Sequence, residues 1–273
     1  MNCRALAAWI LGTGLAVLLC GKPCLAQSDI PEANPARPTV ANPATLTPVG
    51  YLQFETGALY AEGSQDFSGR LALEQVTKLT VHPRLEFQVQ SEPVVYSGLH
   101  GERATDPGDV LAGAQFVILP GKNSRPTISA AYFKHVYAGS APDLDTGTPE
   151  HSLVLLVSDD LHGFHFDVNG MFNEQKEGSL RRAQFGETVS ASHGFGRFTV
   201  AGEIWHFTQP ITRGNAVGNL WALSFTARKN LVLDAGFNRG LTSTSTQWET
   251  FAGFTYVLPH RLWKERRHGR PPG

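Results

Sequence analysis

Phe164-His165-Phe166-Asp167-Val168-Asn169-Gly170-Met171-Phe172-Asn173 is the stretch whose reading decides the fold. Phe164, Phe166, Val168, Gly170 and Phe172 fall on one face of an extended chain, while His165, Asp167, Asn169 and Asn173 fall on the other. Successive side chains of a strand point to opposite faces, so this period of two predicts a strand with one apolar and one polar side. A helix would repeat every three to four residues instead.

The same alternation recurs on both sides of this stretch. Leu52, Phe54, Thr56, Ala58 and Tyr60 oppose Gln53, Glu55 and Gly57. Leu85, Phe87 and Val89 oppose Glu86, Gln88 and Gln90. Val110, Ala112, Ala114, Phe116 and Ile118 oppose Asp109 and Gln115. Leu231, Leu233, Ala235 and Phe237 oppose Asp234 and Asn238, and Trp248, Ala252, Phe254, Tyr256 and Leu258 oppose Gln247, Glu249 and Gly253. Weaker members at Leu71–Thr80, Ile128–Tyr137, His151–Ser158, Gln184–His193, Arg197–Thr208 and Leu220–Arg228 bring the expected number to twelve.

The connections alternate in length. Short ones are expected at His82–Arg84, Pro120–Pro126, Asp159–Gly163, Gly194–Gly196 and Lys229–Asn230. Longer ones are expected at Glu62–Arg70, Pro93–Gly108, Ala138–Glu150, Glu174–Arg182, Gln209–Asn219 and Gly240–Thr246. A meandering barrel produces this pattern, with tight turns at one rim and loops at the other. The reading is an all-β fold: a closed antiparallel transmembrane β-barrel of about twelve strands over residues 49–258. Strands of about ten residues span a hydrocarbon layer, and closure pairs every backbone group without leaving an edge. A secreted β-sandwich also alternates its strands, but it gives no reason for alternating loop lengths. Tyr51, Tyr60, Tyr137, Trp221, Trp248 and Tyr256 suit interfacial girdles.

The flanks agree with export. Residues 1–26 carry Arg4, an apolar run Ala5–Cys20, and Cys24-Leu25-Ala26 before Gln27. This is the pattern of a cleaved signal peptide, and it predicts an outer-membrane protein beginning after Ala26. All three cysteines, Cys3, Cys20 and Cys24, lie in that segment, so neither a disulfide framework nor a thiolate metal site is expected. With Arg4 and Lys22 removed, 21 basic and 24 acidic residues remain, a net of −3 with histidines neutral. No broad basic field for nucleic acid results. Beyond residue 26 the longest aliphatic run is Leu153–Val157, far short of the roughly 20 residues of a membrane helix. Residues 27–48, with Pro31, Pro35, Pro38, Pro43 and Pro48, read as a disordered lead. Residues 259–273 read as a basic, solvated tail, with five Lys/Arg and one acid from Arg261 onward.

Chemistry-bearing patterns are sparse. No phosphate-binding loop is present, and His162 and His165 face opposite sides of a strand, so no metal or other cofactor is expected. By parity the lumen is lined by Glu55, Glu74, Lys78, Glu86, Glu92, His165, Asp167, Arg197, Glu203, Trp205, Phe207, Arg228, Asp234 and Glu249. Acid exceeds base, so an open pore would favour cations. The alternative is a lumen held shut by pairing of these carboxylates with Arg197 and Arg228. Parity also predicts that Phe166→Arg, facing lipid, costs about 2–4 kcal/mol, and that Asn169→Arg in the lumen costs much less.

Val49-Gly50-Tyr51-Leu52-Gln53-Phe54-Glu55-Thr56-Gly57 resembles the opening strand of the outer-membrane transporter-like family named for the MetA pathway of phenol degradation. Leu231–Phe237, Gly240-Leu241-Thr242 and Phe251-Ala252-Gly253-Phe254 resemble that family's closing hairpin. The resemblance spans residues 49–258 and implies passage of small or aromatic compounds. It carries over no catalytic or binding residue. Outer-membrane barrels often end on an aromatic read by the assembly machinery, whereas here seventeen residues follow Tyr256. The expected partners are outer-membrane lipid, that machinery and a small solute. The expected function is a non-enzymatic barrel that passes or binds small molecules. The alternatives are a lipid-active barrel enzyme, for which His206 on an apolar face is the one candidate feature, and a structural barrel without transport.

Overall fold

The computed structural model describes residues 30–263, apart from His100, 123–124, 145–146 and 212–213. The expected signal segment and residues 264–273 of the tail lie outside the described residues. Among the described residues every regular element is a strand: β1 (Leu52–Glu62), β2 (Gly69–His82), β3 (Leu85–Leu99), β4 (Glu102–Asp106), β5 (Val110–Leu119), β6 (Thr127–Tyr137), β7 (His151–Leu161), β8 (Phe164–Glu177), β9 (Leu180–Phe195), β10 (Phe198–Gln209), β11 (Gly214–Arg228), β12 (Leu231–Gly240) and β13 (Trp248–Val257).

These strands form one antiparallel sheet in which chain neighbours pair. Pairing of β1 with β13, from Gln53↔Val257 to Glu62↔Trp248, closes it. Thirteen strands make a twelve-stave wall, because β4 and β5 are two halves of one stave. Val95 pairs with Asp106 and Ser91 pairs with Val110, which is one unbroken register along β3. The interruption falls at Pro107-Gly108-Asp109, opposite Glu92 and Pro93. Proline brings no N–H to a ladder. The break is partly bridged by Gly108 N–H donating to the Glu92 carbonyl at 2.8 Å.

Several strands run longer on the long-loop side than the roughly ten residues of a membrane crossing. The expected loop at 174–182 is hairpin down to Gly178-Ser179, where Gly178 takes a φ of 58°. β3 continues through Pro93 to Leu99, and β11 begins at Gly214 rather than Leu220. Pro93 does not end β3 because the β2–β3 ladder already skips there, shifting register between Leu73 and Gln75. A hairpin, once paired, keeps adding backbone bonds in water, so membrane thickness sets no upper limit to its length.

The wall's two faces differ as the alternation predicts. Leu71, Phe87, Ile118, Leu155, Phe172, Val189, Ile204 and Leu223 stand outward and exposed, while Gln53, Glu55, Gln88, Gln115, Asn169 and Thr188 stand inward and buried. An apolar belt of this kind is what lipid requires of the wall. Tyr60, Tyr137 and Trp248 crowd the long-loop end of the belt, and Phe164, Phe195 and Phe198 the short-turn end. Trp221 departs from the expected girdle. It lies at mid-strand beside Gly202, where a Cβ would come within 3.0 Å of its ring.

Candidate functional site

Most of the expected lining residues do face the lumen. Glu55, Lys78, Glu86, Asp167, Glu203, Trp205, Phe207 and Asp234 are buried there. Glu74, Glu92 and Glu249 line its cavities. His165 stands half exposed at the short-turn end, between Asp160 and Asp167. Two expectations fail. Arg197 follows Gly196 in the β9–β10 turn, donates to the Ala227 carbonyl at 2.7 Å and lies over the ring of Phe225. Arg228 lies beyond a register shift at Thr226, which breaks the period, and its side chain is exposed. Neither arginine crosses the lumen to neutralise the carboxylates.

The lumen's other occupant is residues 31–48. They form no helix or strand, but they are not disordered: they fold into the short-turn half of the barrel. Ala36, Ala41 and Ala44 are 8%, 0% and 0% exposed. A chain without secondary structure must find partners for its backbone N–H groups when buried, and the wall supplies them. Ala33 N–H donates to the Lys229 carbonyl. Asn34 N–H donates to Gln53, and those of Ala36 and Arg37 to the Glu55 carboxylate at 3.0 Å each. Val40 and Ala41 donate to the two oxygens of Glu203, both at 2.8 Å. Asn42 donates to Asn169, Ala44 to Ser158 and Thr47 to Glu86. In return the Ala44 carbonyl accepts from Ser129 and Gln115.

Composition now acquires a structural reason. Proline has no N–H to satisfy, and alanine adds only a methyl, so a proline- and alanine-rich segment fits a narrow polar lumen. The carboxylates that parity placed inward are acceptors for this segment. Glu86 holds Thr47, and Asn169 exchanges two bonds with Asn42, at 2.7 and 2.9 Å. Position 169 is therefore not a permissive lumen site. An arginine there would displace Asn42, contrary to the expectation from parity.

Basic side chains serve the inner wall. Arg37, from the lead, reaches Glu74 at 2.6 Å and Asp234 at 3.4 Å. Its guanidinium fits where Gly57 and Gly253 lack side chains: a Cβ on Gly57 would come within 2.4 Å of it. Lys78 pairs with Glu55, and Arg70 pairs with Glu92 while donating to the Pro142 carbonyl. Arg70 is 1% exposed and was not singled out from the sequence. It alternates with Leu71 and so was readable by parity, although it stands at the strand's edge.

Two of the cavities that remain lie on the long-loop side of the lead. The larger, about 270 Å³, has an apolar wall of Leu59, Trp205, Phe207, Leu220 and Phe251, with Arg37, Glu74, Asn238 and Glu249 among its polar groups. Leu144 folds in from the 138–150 connection and packs with Val40 on this cluster. Trp205 Nε1–H donates to Asn238 at 2.9 Å, which fixes the indole against the wall. The second cavity, about 230 Å³, shares Arg37 and Glu74 with the first and adds Glu55, Glu92 and Asp109.

Ser158, Asp167 and His165 lie together, but the Ser158 hydroxyl donates to Asp167 and not to the imidazole. His206, on the outer face, contacts Glu187 at 3.1 Å.

No family model matches the chain, and no curated protein matches it. Solved structures do. The outer membrane channel from Pseudomonas putida F1 superposes with a TM-score of 0.58 at 12% identity, covering 81% of this chain and all of that one. The NanC porin gives 0.53 at 10% identity, over 75% and 100% of the two chains. The KdgM porin gives 0.51 at 12% identity, over 75% and 98%. At such low identity these similarities speak for architecture alone, and the architecture shared is a closed antiparallel β-barrel.

Proposed function

We propose that this protein is an outer-membrane channel that binds and passes small solutes, with residues 31–48 setting its closed width. The observation that carries this reading is the chamber of about 270 Å³ inside the closed wall, floored by the lead. Its mixture of aromatic surface and a few polar groups is the lining of small-molecule sites. Trp205, Phe207 and Phe251, together with the resemblance to the phenol-degradation family, favour small aromatic or hydrophobic solutes.

Charge narrows the class further. The lining carboxylates Glu55, Glu74, Glu86, Glu92, Asp167, Glu203, Asp234 and Glu249 outnumber Arg37, Arg70 and Lys78. One KdgM porin structure is a complex with oligogalacturonate. A polyanion of that kind is repelled by the acidic lumen here. Neutral and cationic solutes suit it better. Export through cleavage after Ala26 and insertion by the barrel-assembly machinery belong to the same reading.

Planar-bilayer recordings of the whole chain and of a chain lacking residues 27–48 test it. The whole chain is expected to conduct weakly. The shortened chain is expected to conduct several-fold more, with a modest cation preference that fades as salt screens the wall. Folded barrels of both kinds without conductance would reject the channel and leave a structural barrel.

A further inference from the structure

We propose that the inner wall at the short-turn end is a binding site for an extended proline- and alanine-rich peptide. The chain's own residues 31–48 are its resident occupant, and the site takes the same peptide supplied as a separate molecule. This goes beyond the transport reading and does not depend on any solute passing.

Three features make the wall a recognition surface and not just a place where a terminus has come to rest. Its acceptors read backbone. Glu55 and Glu203 each take two successive N–H groups, and Asn169, Ser158 and Glu86 take one each. Two positions are filtered by size. Ala41 and Ala44 are fully buried, and Ala44 belongs to one buried apolar cluster with Ala131, Phe133, Val154 and Leu156. One position is filtered by charge. Arg37 lies between Glu74 and Asp234 in the slot that Gly57 and Gly253 leave open.

None of these contacts needs the peptide to be covalently continuous with β1. The link between them is Val49-Gly50-Tyr51, which has its own anchors: Gly50 N–H donates to the Thr80 carbonyl, and Arg261 donates to the Val49 carbonyl. Tethering raises the effective concentration of the lead to the millimolar range for a short link, roughly. The resident peptide therefore excludes a competitor until the tether is cut.

The test uses the full chain with a protease site inserted between Pro48 and Val49, folded in detergent and then cut. The cut lead is expected to stay with the barrel through size-exclusion chromatography. It should then exchange saturably for a fluorescent synthetic peptide of residues 31–48, followed by anisotropy. Peptides N-methylated at Val40 and Ala41, or carrying Ala44→Phe, are expected to bind at least about tenfold more weakly. If the inserted site resists cutting, a barrel refolded without residues 27–48 takes the same peptides. Immediate loss of the cut lead with no uptake of the parent peptide overturns the proposal. So does equal binding of the parent, N-methylated and Phe-substituted peptides, which would mean unspecific adhesion.

Discussion

Leu155→Arg is expected to destabilise the barrel by about 2–4 kcal/mol, the cost of a basic side chain on the lipid face at mid-bilayer. Leu155 stands at the middle of β7, half exposed, opposite Gly170 of β8. Its neighbours on the outer wall are apolar: Ala130 and Gly170 lie across from it on β6 and β8, and Leu153 and Val157 flank it along β7. Leu241→Arg is the matched control. Leu241 is as exposed, at 55%, but it follows β12 on the long-loop side, outside the strands, so its replacement should change stability by less than about 0.5 kcal/mol. Reversible unfolding in lipid vesicles measures both. Equal losses would mean that the exposed apolar belt does not face lipid.

Glu203→Leu is expected to release residues 31–48 from the lumen while the wall stays folded. The substitution leaves the Val40 and Ala41 N–H groups buried and unpaired, at a cost of about 1–3 kcal/mol each. The lead can escape that cost by withdrawing into water, which the strands cannot do. The result should therefore be detachment and not unfolding. A broad-specificity protease should cut within residues 31–48 of the variant and leave the parent intact. Barrel melting should move far less than for Leu155→Arg. Unchanged protection of the lead would show that Glu203 does not hold it.

These two substitutions also mark how much could be read without coordinates. Outward residues such as Leu155 and Phe172 follow from parity, because lipid imposes one rule on every stave. The twelve-stave count and the closing β1–β13 pair follow from the same rule. Failures fall where the rule lapses. Arg197 is in a turn and Arg228 lies past a register shift, and parity has no meaning at either place. The lead reads as disordered from its sequence because it has no periodicity, and a segment that borrows its partners from distant residues leaves no periodic trace. Its signal lay elsewhere, in an inward face with more carboxylates than bases. Glu86 and Glu203 at buried positions need donors beyond the wall's few bases, and a stretch of chain with backbone N–H groups to satisfy was the available source.

The lead's bonds fall on β1, β2, β3, β5, β6, β7, β8, β10 and β12, so its partners are spread around the whole circumference of the wall. Val40 and Glu203 are 163 residues apart in the chain. Such a set of partners does not exist in any hairpin, half-sheet or open intermediate; it comes into being when the last strand meets the first. The complete set of these bonds therefore exists only in a wall whose circle is closed. A barrel that closed with a strand missing or out of register would misplace acceptors and leave the segment outside, open to proteases. The segment synthesised before every strand is thus the one whose burial certifies that all of them are in place.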